Sequence, residues 1–352
     1  MLTHSLPPLC PPWQLDFSQE EPVVVGTTLE LTRNIVDLPF PARLPEDRWL
    51  ELRHRVEDAF ASLEREFHLL DGEALAPTVV AALRGWRVFG SREKSPLSVV
   101  SPDYRVVVQI GESDHLRLTI HSGGSDPTTA LTELQKLDAE LEGLLHYAVS
   151  LRLGYLSPTI DAVGPGFTVG GTLFLPALHR AGAVVPVEPR EPGGIHRSVP
   201  AAIITPLSIG ESAADSLYQV TVSATPQETE EETLAKLADA VQRLVHYEQQ
   251  TRGVLLRDHG EDVQDAAYRA WGTLTQARRL DRAEVDQSAS LLGLAVASGV
   301  ADVTTAERAV SLLLYSSDAV VAALAGETTS LREGRAQVVR RQLKMTQENR
   351  DV

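Results

Sequence analysis

The chain has 352 residues, of which 43% are hydrophobic and 23% are charged, a composition typical of globular proteins. A chain of this length usually forms more than one hydrophobic core. Its net charge of −16 excludes nucleic acid and anionic membranes as expected partners, because affinity for both depends on Lys and Arg. The single cysteine, Cys10, permits no intramolecular disulfide, and the first residues lack a secretory-signal pattern. We therefore expect a soluble cytoplasmic protein.

The first 21 residues are rich in proline, which predicts an extended or poorly ordered arm. A strand is predicted at residues 23–25, and the prolines of Pro39-Phe40-Pro41 interrupt regular structure after it. Apolar residues recur at helical spacing from 45 to about 70, which predicts an amphipathic helix.

A β-hairpin is predicted at residues 104–120, where two apolar-rich segments flank the turn residues 111–114. Side chains two apart in a strand point the same way, so His115 and Arg117 are expected on one face of its second strand. Such a basic pair beside an acidic turn could hold an anion. The alternative is an exposed hairpin that simply carries charges.

A helix with a long leucine stripe is predicted to start at residues 126–127, followed by a loop and strand over 154–177. The glycines of that loop lack the Lys-Ser/Thr of a phosphate loop. Residues 186–200 predict an irregular connection. Strands are predicted at 203–204 and 217–222, and a helix after the acidic run at 228–232.

From about residue 254 the pattern is entirely helical, with helices predicted at 266–280, 282–297, 304–324 and 331–345. The change from mixed to helical patterns predicts a boundary near 252–260. We therefore expect an arm at 1–21, an α+β domain at 22–253 and a helical domain at 254–352. The apolar stripes of the helical domain could form its own core or a homodimer surface.

Several short motifs occur in an order that matches a known family. They are Leu31-x-Arg33-Asn34 with Pro39-Phe40-Pro41, Asp114-His115-Leu116-Arg117, Gly154-Tyr155-Leu156, Val163-Gly164-x-Gly166, Leu175-Pro176-Ala177-Leu178 and Tyr268-Arg269-x-x-Gly272-x-Leu274. From about residue 23 to 343 the chain resembles the ATP:guanido phosphotransferases, and in particular bacterial protein-arginine kinases. The resemblance implies an antiparallel sheet flanked by helices, followed by a small helical domain.

The hairpin turn carries the central motif of this resemblance. In the family, a segment N-E-E-D-H-x-R supplies a carboxylate for the substrate guanidinium and an arginine for the ATP phosphates. Here it reads G-E-S-D-H-L-R, so Glu112, Asp114 and His115 stand as vestigial catalytic positions and Arg117 as the phosphate-binding one. Ser113 replaces the base-like glutamate, and Glu112 would point to the opposite face of a strand.

Other family positions have lost their charge or reactivity, and only Arg117 remains of five expected arginines. The departures are Thr28 and Glu30 in place of two phosphate arginines, Thr159 for the reactive cysteine, Ala162 for an asparagine, Thr168 and Ile204 for two further arginines, and Ile209 for a second carboxylate. The register at Ile204 and Ile209 is open, because Glu211 lies close by. Phosphoryl transfer depends on positioned charge, so the resemblance implies an inactive member.

A helix in the C-terminal part offers a second candidate site. Protein-arginine kinases carry R-D-x-x-R-A in a phosphoarginine pocket, and Arg332-Glu333-Gly334-Arg335-Ala336 is similar with one residue missing. Arginine forks suit a phosphorylated group. An ordinary exposed helix end is the alternative.

Three functional hypotheses follow. The first is a pseudokinase without a cofactor that binds proteins, either an active protein-arginine kinase or phosphoarginine-marked clients. The second is an active protein-arginine kinase that uses ATP and Mg, with arginines such as Arg33, Arg87, Arg152 or Arg197 on the phosphates. The third is changed chemistry at the hairpin turn on a different anion. The dispersed histidines predict no metal site.

Overall fold

The structure is a computed structural model that describes residues 2–12, 23–92, 95–123, 127–183, 202–209, 212–326 and 330–344. Its β-strands are β1 (Leu2–Thr3), β2 (Val24–Arg33), β3 (Phe67–Asp71), β4 (Leu97–Val100), β5 (Val106–Ile110), β6 (Leu116–Gly123), β7 (Val149–Ser150), β8 (Gly154–Tyr155), β9 (Phe167–Phe174), β10 (Ile203–Ile209) and β11 (Ser212–Ser223). Its α-helices are α1 (Glu46–Ser62), α2 (Pro77–Gly85), α3 (Thr128–Leu145), α4 (Pro176–Arg180), α5 (Glu230–Gln276), α6 (Arg282–Ala297), α7 (Ala306–Tyr315), α8 (Asp318–Ala325) and α9 (Leu331–Lys344).

The chain forms two compact units, each assembled from separate stretches of sequence. The first unit comprises residues 1–14, 26–171 and 221–238, and the second comprises 15–25, 172–220 and 239–352. In the first unit the strands follow the order β1-β3-β4-β5-β6-β2-β9. The second unit contains β10 beside β11 and the helices α6 to α9. The predicted α+β fold class is confirmed.

The sheet of the first unit is mixed. The pairs β3–β4, β4–β5, β5–β6 and β6–β2 are antiparallel, as predicted. The sequence did not predict the short strand β1, which pairs with β3 in parallel. This pairing also gives the start of the proline-rich arm a fixed place, and the Tyr104 hydroxyl donates to the Pro7 carbonyl at 3.3 Å. Residues 13–21 of that arm lie outside the described residues.

The two faces of this sheet differ in polarity because successive strand residues face opposite sides. One face is apolar and fully buried, and burial of each aliphatic side chain contributes roughly 1.5–3 kcal/mol. Its members on the two central strands are Leu29, Leu31, Leu116, Leu118 and Ile120. The other face, which we call the polar face, carries Thr28, Glu30, Thr32, Arg117, Thr119 and His121 on the same strands.

Helices form where the apolar periodicity predicts them, with some different ends. The first helix ends at Ser62 rather than near 70, because the chain enters β3 at Phe67. The predicted helix at 304–324 is two helices, since Ser316 and Ser317 interrupt it and the Ser317 hydroxyl accepts from the Val320 amide. Residues 186–200, predicted to be irregular, lie outside the described residues.

The longest helix, α5, spans 47 residues and is bent at His259, whose backbone is not helical (φ −141°). The 252–260 stretch, where the sequence predicts a domain boundary, lies inside this helix and inside the second unit. No single helix in the described residues has the length and apolar character to cross a membrane; α7 and α8 meet the criterion only as a pair bent by 86°.

Candidate functional site

Asp114 lies at the end of the hairpin turn and is 3% exposed. Its Oδ1 accepts hydrogen bonds from Asn34 Nδ2 at 2.6 Å and from the Ser157 hydroxyl at 2.8 Å. Its Oδ2 accepts from the Ser113 hydroxyl at 3.0 Å. Both carboxylate oxygens are thus already bound by the protein, which is the arrangement of a structural carboxylate.

His115 is also a buried structural residue. Its Nδ1 accepts from the Ile35 amide at 2.9 Å, so Nε2 carries the proton that is donated to the Pro39 carbonyl at 2.8 Å. Its own amide donates to Asn34 Oδ1 at 2.9 Å. Burial lowers the pKa of His115, although the Pro39 carbonyl and Asp114 oppose this. Both ring nitrogens are thus bound by the backbone, which leaves neither of them free to hold an anion together with Arg117.

Glu112 points to a different segment from Asp114. Its Oε2 accepts from the Arg92 amide at 3.0 Å, with the Ser91 hydroxyl at 3.4 Å. The contact is close enough that a Cβ at Gly90 would lie 2.1 Å from Glu112 Cδ. The three vestigial positions lie within four residues of sequence, but the structure gives their side chains separate contacts.

Arg117 and Glu30 form an ion pair on the polar face, with 3.3 Å between Arg117 Nε and Glu30 Oε1. The antiparallel register makes this contact, since Thr32 is opposite Arg117 and Glu30 is opposite Thr119. Both side chains are partly exposed, at 37% and 28%, so solvent screening limits the net stabilisation to about 0–1 kcal/mol. The contact nevertheless places the Glu30 carboxylate against Arg117, the one phosphate-binding arginine that the resemblance retains.

Arg87 is a second arginine near Glu30. Part of its side chain is exposed to solvent, but desolvation of its guanidinium by the surrounding protein lowers its pKa. The charge of Glu30 opposes this shift, and the charge of Arg117 adds to it. Arg87 has a left-handed backbone (φ 60°), and its carbonyl accepts from Gln109 Nε2 at 2.7 Å. We call Arg87 and Arg117 the arginine pair.

His121 completes the polar face and is held neutral. Burial, together with the nearby charge of Arg87, lowers its pKa to about 3. Its Nδ1 lies 3.2 Å from the Thr28 hydroxyl, on the strand directly opposite. Sequence reasoning named Arg87 only as one of several alternatives and did not single out His121. Identifying either residue from the sequence would require knowing which strands pair.

The remaining family positions carry neutral side chains with ordinary contacts. Thr159 is exposed and lies 3.0 Å from the Ser157 hydroxyl, and the Thr168 hydroxyl lies 3.1 Å from that of Ser223. Ala162 is half-buried in a short 3-10 helix at Ile160–Ala162. In the second unit, Ile204 and Ile209 are buried strand residues, at 2% and 1% exposure, and Glu211 lies outside the described residues.

Of the other alternative arginines, Arg33 is not free for phosphate. It is 2% exposed and forms two parallel hydrogen bonds to Asp138, with 2.7 Å from Nη2 to Oδ2 and 3.0 Å from Nε to Oδ1. Its Nη1 donates to the Pro165 carbonyl at 2.8 Å, and its guanidinium lies 3.6 Å from the centre of the Tyr155 ring. Arg152 is exposed, and Arg197 lies outside the described residues.

In the second unit, the three residues of the predicted phosphoarginine pocket all bind the protein itself. Arg332 pairs with Asp281, and Glu333 accepts from Arg279 at 2.7 Å. Arg335 is 3% exposed; it donates to the Ser316 and Leu280 carbonyls at 2.8 and 3.0 Å and pairs with Asp318. This arrangement favours a structural role for these helix residues.

No cluster of three or more His, Cys, Asp or Glu side chains within the described ranges is arranged to hold a metal ion.

Comparison with known proteins gives one family. Residues 88–251 match the family model described as ATP:guanido phosphotransferase, C-terminal catalytic domain. The chain is 26% identical over 350 residues to a protein-arginine kinase of Geobacillus thermodenitrificans (strain NG80-2), an alignment that covers 95% of this chain and 93% of that protein. It is 27% identical over 301 residues to a protein-arginine kinase of Geobacillus kaustophilus (strain HTA426), covering 82% and 80%.

Solved structures show the same fold. The crystal structure of lombricine kinase superposes with a TM-score of 0.55 at 16% identity, covering 70% of this chain and 72% of that one. At that identity, the similarity concerns the fold alone.

Proposed function

Because this chain belongs to the ATP:guanido phosphotransferase family, we propose that it is a member that has lost phosphoryl transfer and acts by binding proteins. Its partners would be an active protein-arginine kinase or phosphoarginine-marked proteins in the cytoplasm, and it would need no cofactor. The single observation that carries this proposal is the ion pair between Glu30 and Arg117.

The reasoning concerns charge. Transfer from ATP needs cations around the phosphates, and the protein supplies almost all of its catalysis by positioned charge. Here the one retained family arginine faces a carboxylate of its own chain, and a phosphate brought to Arg117 would meet Glu30. Two negative charges at about 4 Å repel by about 4 kcal/mol at an effective dielectric near 20. Asp114 is meanwhile bound by three side-chain donors.

Calorimetry with Mg-ATP tests this proposal. We expect no saturable heat at millimolar nucleotide for the wild-type protein or for Arg117→Ala. Glu30→Gln serves as the matched variant, because it removes the opposing charge and keeps the shape of the side chain. Micromolar binding by wild type that disappears in Arg117→Ala would overturn the proposal.

A second candidate is an active protein-arginine kinase that uses ATP and Mg, and the arginine pair favours it. Arg87 lies close enough to Arg117 for the charge of Arg117 to contribute to lowering the Arg87 pKa, so two cations could meet a phosphate if Glu30 turned away. The similar relatives are also named protein-arginine kinases. Incubation with γ-labelled ATP and an arginine-rich protein would test it. The candidate predicts acid-labile label on arginine that is lost in both Arg117→Ala and Asp114→Asn.

A further inference from the structure

A cavity of about 390 Å³ lies in the second unit and is lined by residues of α4, β11 and α6. Its volume is within the range of small-molecule sites, which is about 300–1,000 Å³. Apolar side chains, among them Leu291 and Leu294 of α6, form part of its wall. Three titratable side chains line the same cavity: His179, Arg180 and Asp215.

Hydrogen bonds join the three elements that form the walls. Two amides in the first turn of α4 each donate to the Glu248 carboxylate at 2.9 Å, and Glu248 is fully buried. The Leu175 amide, just before α4, donates to the Ser216 carbonyl of β11 at 2.8 Å. The Ser216 hydroxyl is in turn hydrogen-bonded to the hydroxyl of Ser290 on α6. The walls are therefore held in place by the protein itself, which reduces the entropic cost of binding a ligand between them.

The end of α4 supplies the cationic side of the cavity. Arg180 is exposed, and His179 is half-buried with its Nδ1 2.8 Å from the Tyr218 hydroxyl. Burial, together with the charges of Asp215 and Glu248, raises the pKa of Tyr218 to about 12, so this hydroxyl keeps its proton and can donate to Nδ1. The imidazole proton is then on Nε2, which can donate to a ligand together with the Arg180 guanidinium. Donors of this kind suit a carboxylate.

Asp215 supplies a negative charge to the same cavity from β11, and it is half-buried. Neither Asp215 nor Arg180 is in an ion pair with a described side chain. The cavity therefore presents one carboxylate and one guanidinium that no side-chain contact within the described residues compensates. A ligand with a single charge would match only one of these two groups.

Most other charged groups near the lining residues of α4 and α6 are compensated within the chain. Glu284 belongs to the N-terminal cap of α6, where it accepts from the Asp281 amide at 3.4 Å. The remaining groups are joined in pairs: Arg282 with Asp286, Arg332 with Asp281, and Arg252 with Glu248. The charge that a ligand meets in the cavity is thus set by Arg180, His179 and Asp215.

We propose that this cavity binds a zwitterion with an apolar body, of the class of free α-amino acids with an aliphatic side chain. The carboxylate of the ligand binds Arg180 and His179, and its ammonium group binds Asp215. Its aliphatic side chain packs on Leu291 and Leu294. This inference goes beyond the proposed protein binding, because it assigns a small-molecule site to the second unit.

Calorimetry on the full-length protein with L-leucine, L-isoleucine and L-valine tests the proposal. We expect saturable binding of at least one of them. For the amino acid that binds best, the N-acetyl derivative lacks the ammonium group and the amide lacks the carboxylate. Each derivative should bind at least about tenfold more weakly, because each loses a charge-assisted hydrogen bond. Glycine should also bind at least about tenfold more weakly, because it has no side chain to bury.

Two variants assign the charges of the ligand to residues. Arg180→Gln and Asp215→Asn should each weaken the amino acid at least about tenfold. Arg180→Gln should also abolish the preference for the amino acid over its amide, and Asp215→Asn the preference over its N-acetyl derivative. Arg269→Gln is the control, because Arg269 is 79% exposed on α5, pairs with Asp265 and does not line the cavity.

The proposal is overturned if none of the three amino acids binds at millimolar concentration, or if either derivative binds as tightly as the amino acid itself. Undiminished binding by both cavity variants would also overturn it. The derivatives are measured on the wild-type protein, so the test holds even if a variant fails to fold. The Mg-ATP calorimetry concerns the polar face of the first unit, so failure of this proposal and failure of the pseudokinase proposal can be told apart.

Discussion

Asp138→Asn is expected to destabilise the first unit strongly, because Asp138 is the counterion of the buried Arg33. The side chains of Arg33 and Asp138 are 2% and 12% exposed, and two parallel hydrogen bonds join them. The variant keeps the shape of the side chain but leaves the guanidinium charge buried. Breaking a buried pair by removing one partner costs about 3–5 kcal/mol, since the remaining charge is uncompensated.

Urea unfolding followed by tryptophan fluorescence measures this loss. Trp49 and Trp86 are both buried in the first unit, so their emission reports on its unfolding. Lys136→Gln is the control on the same helix, because its pair with Glu140 is 3.9 Å long and Lys136 is 72% exposed. Such an exposed pair contributes about 0–1 kcal/mol.

The double variant Arg33→Met with Asp138→Leu sharpens the test. Removing both charges avoids the uncompensated guanidinium, so it should cost less than Asp138→Asn alone despite the lost contacts of Arg33 with Pro165 and Tyr155. A loss of under about 1 kcal/mol for Asp138→Asn, or a double variant less stable than the single one, would refute this reasoning.

Two further predictions concern acidity and turn geometry. His121 has a pKa of about 3 in the folded protein and near 6.5 in the unfolded chain. Its contribution to the free energy of unfolding is therefore fully present above pH 6.5 and is lost as the pH falls, by roughly 2 kcal/mol at pH 5. His121→Gln should flatten the urea midpoint between pH 6.5 and 4, whereas His54→Gln, at an exposed position, should not. Gly111→Ala should cost more than about 2 kcal/mol, because φ is +70° and its Cβ would lie 2.0 Å from Trp49 Cζ3. Gly143→Ala on α3, with no atom within 4 Å, should instead stabilise by about 0.5–1 kcal/mol, and thermal melts giving both variants the same sign would contradict this.

The sequence predicts local features of the fold well, because they depend on local patterns. The central hairpin follows from two apolar-rich segments on either side of turn residues, and it forms with β5 and β6 around Gly111. The family motifs also predict the fold class, because they occur in the order of the family along most of the chain.

The contacts of the candidate site could not be predicted in the same way. The pairing of Glu30 with Arg117 depends on which strand lies beside β2, and no local pattern specifies that. The strand itself extends to Arg33, well past the predicted residues 23–25. His115 was expected on the same strand face as Arg117, but it precedes β6 and its ring is hydrogen-bonded to the Ile35 amide and the Pro39 carbonyl.

The exposed apolar residues of the β7–β8 hairpin had a sequence signal that was not used. Val149, Leu151 and Leu153 alternate with Ser150 and Arg152, which is the pattern of a strand or hairpin with one apolar face. Whether that face is buried or exposed depends on what covers it. That depends on distant parts of the chain.

The contacts of Arg33 also bear on how the first unit folds. They join residues far apart in sequence, since Asp138 is 105 positions away and Pro165 is 132. Closing such long loops costs chain entropy before any contact repays it, so contacts of this separation tend to form late on the folding pathway. Asp138→Asn should therefore accelerate unfolding and leave the folding rate nearly unchanged. The contacts of Arg33 with Asp138 and Pro165 would then mainly lengthen the lifetime of the folded state.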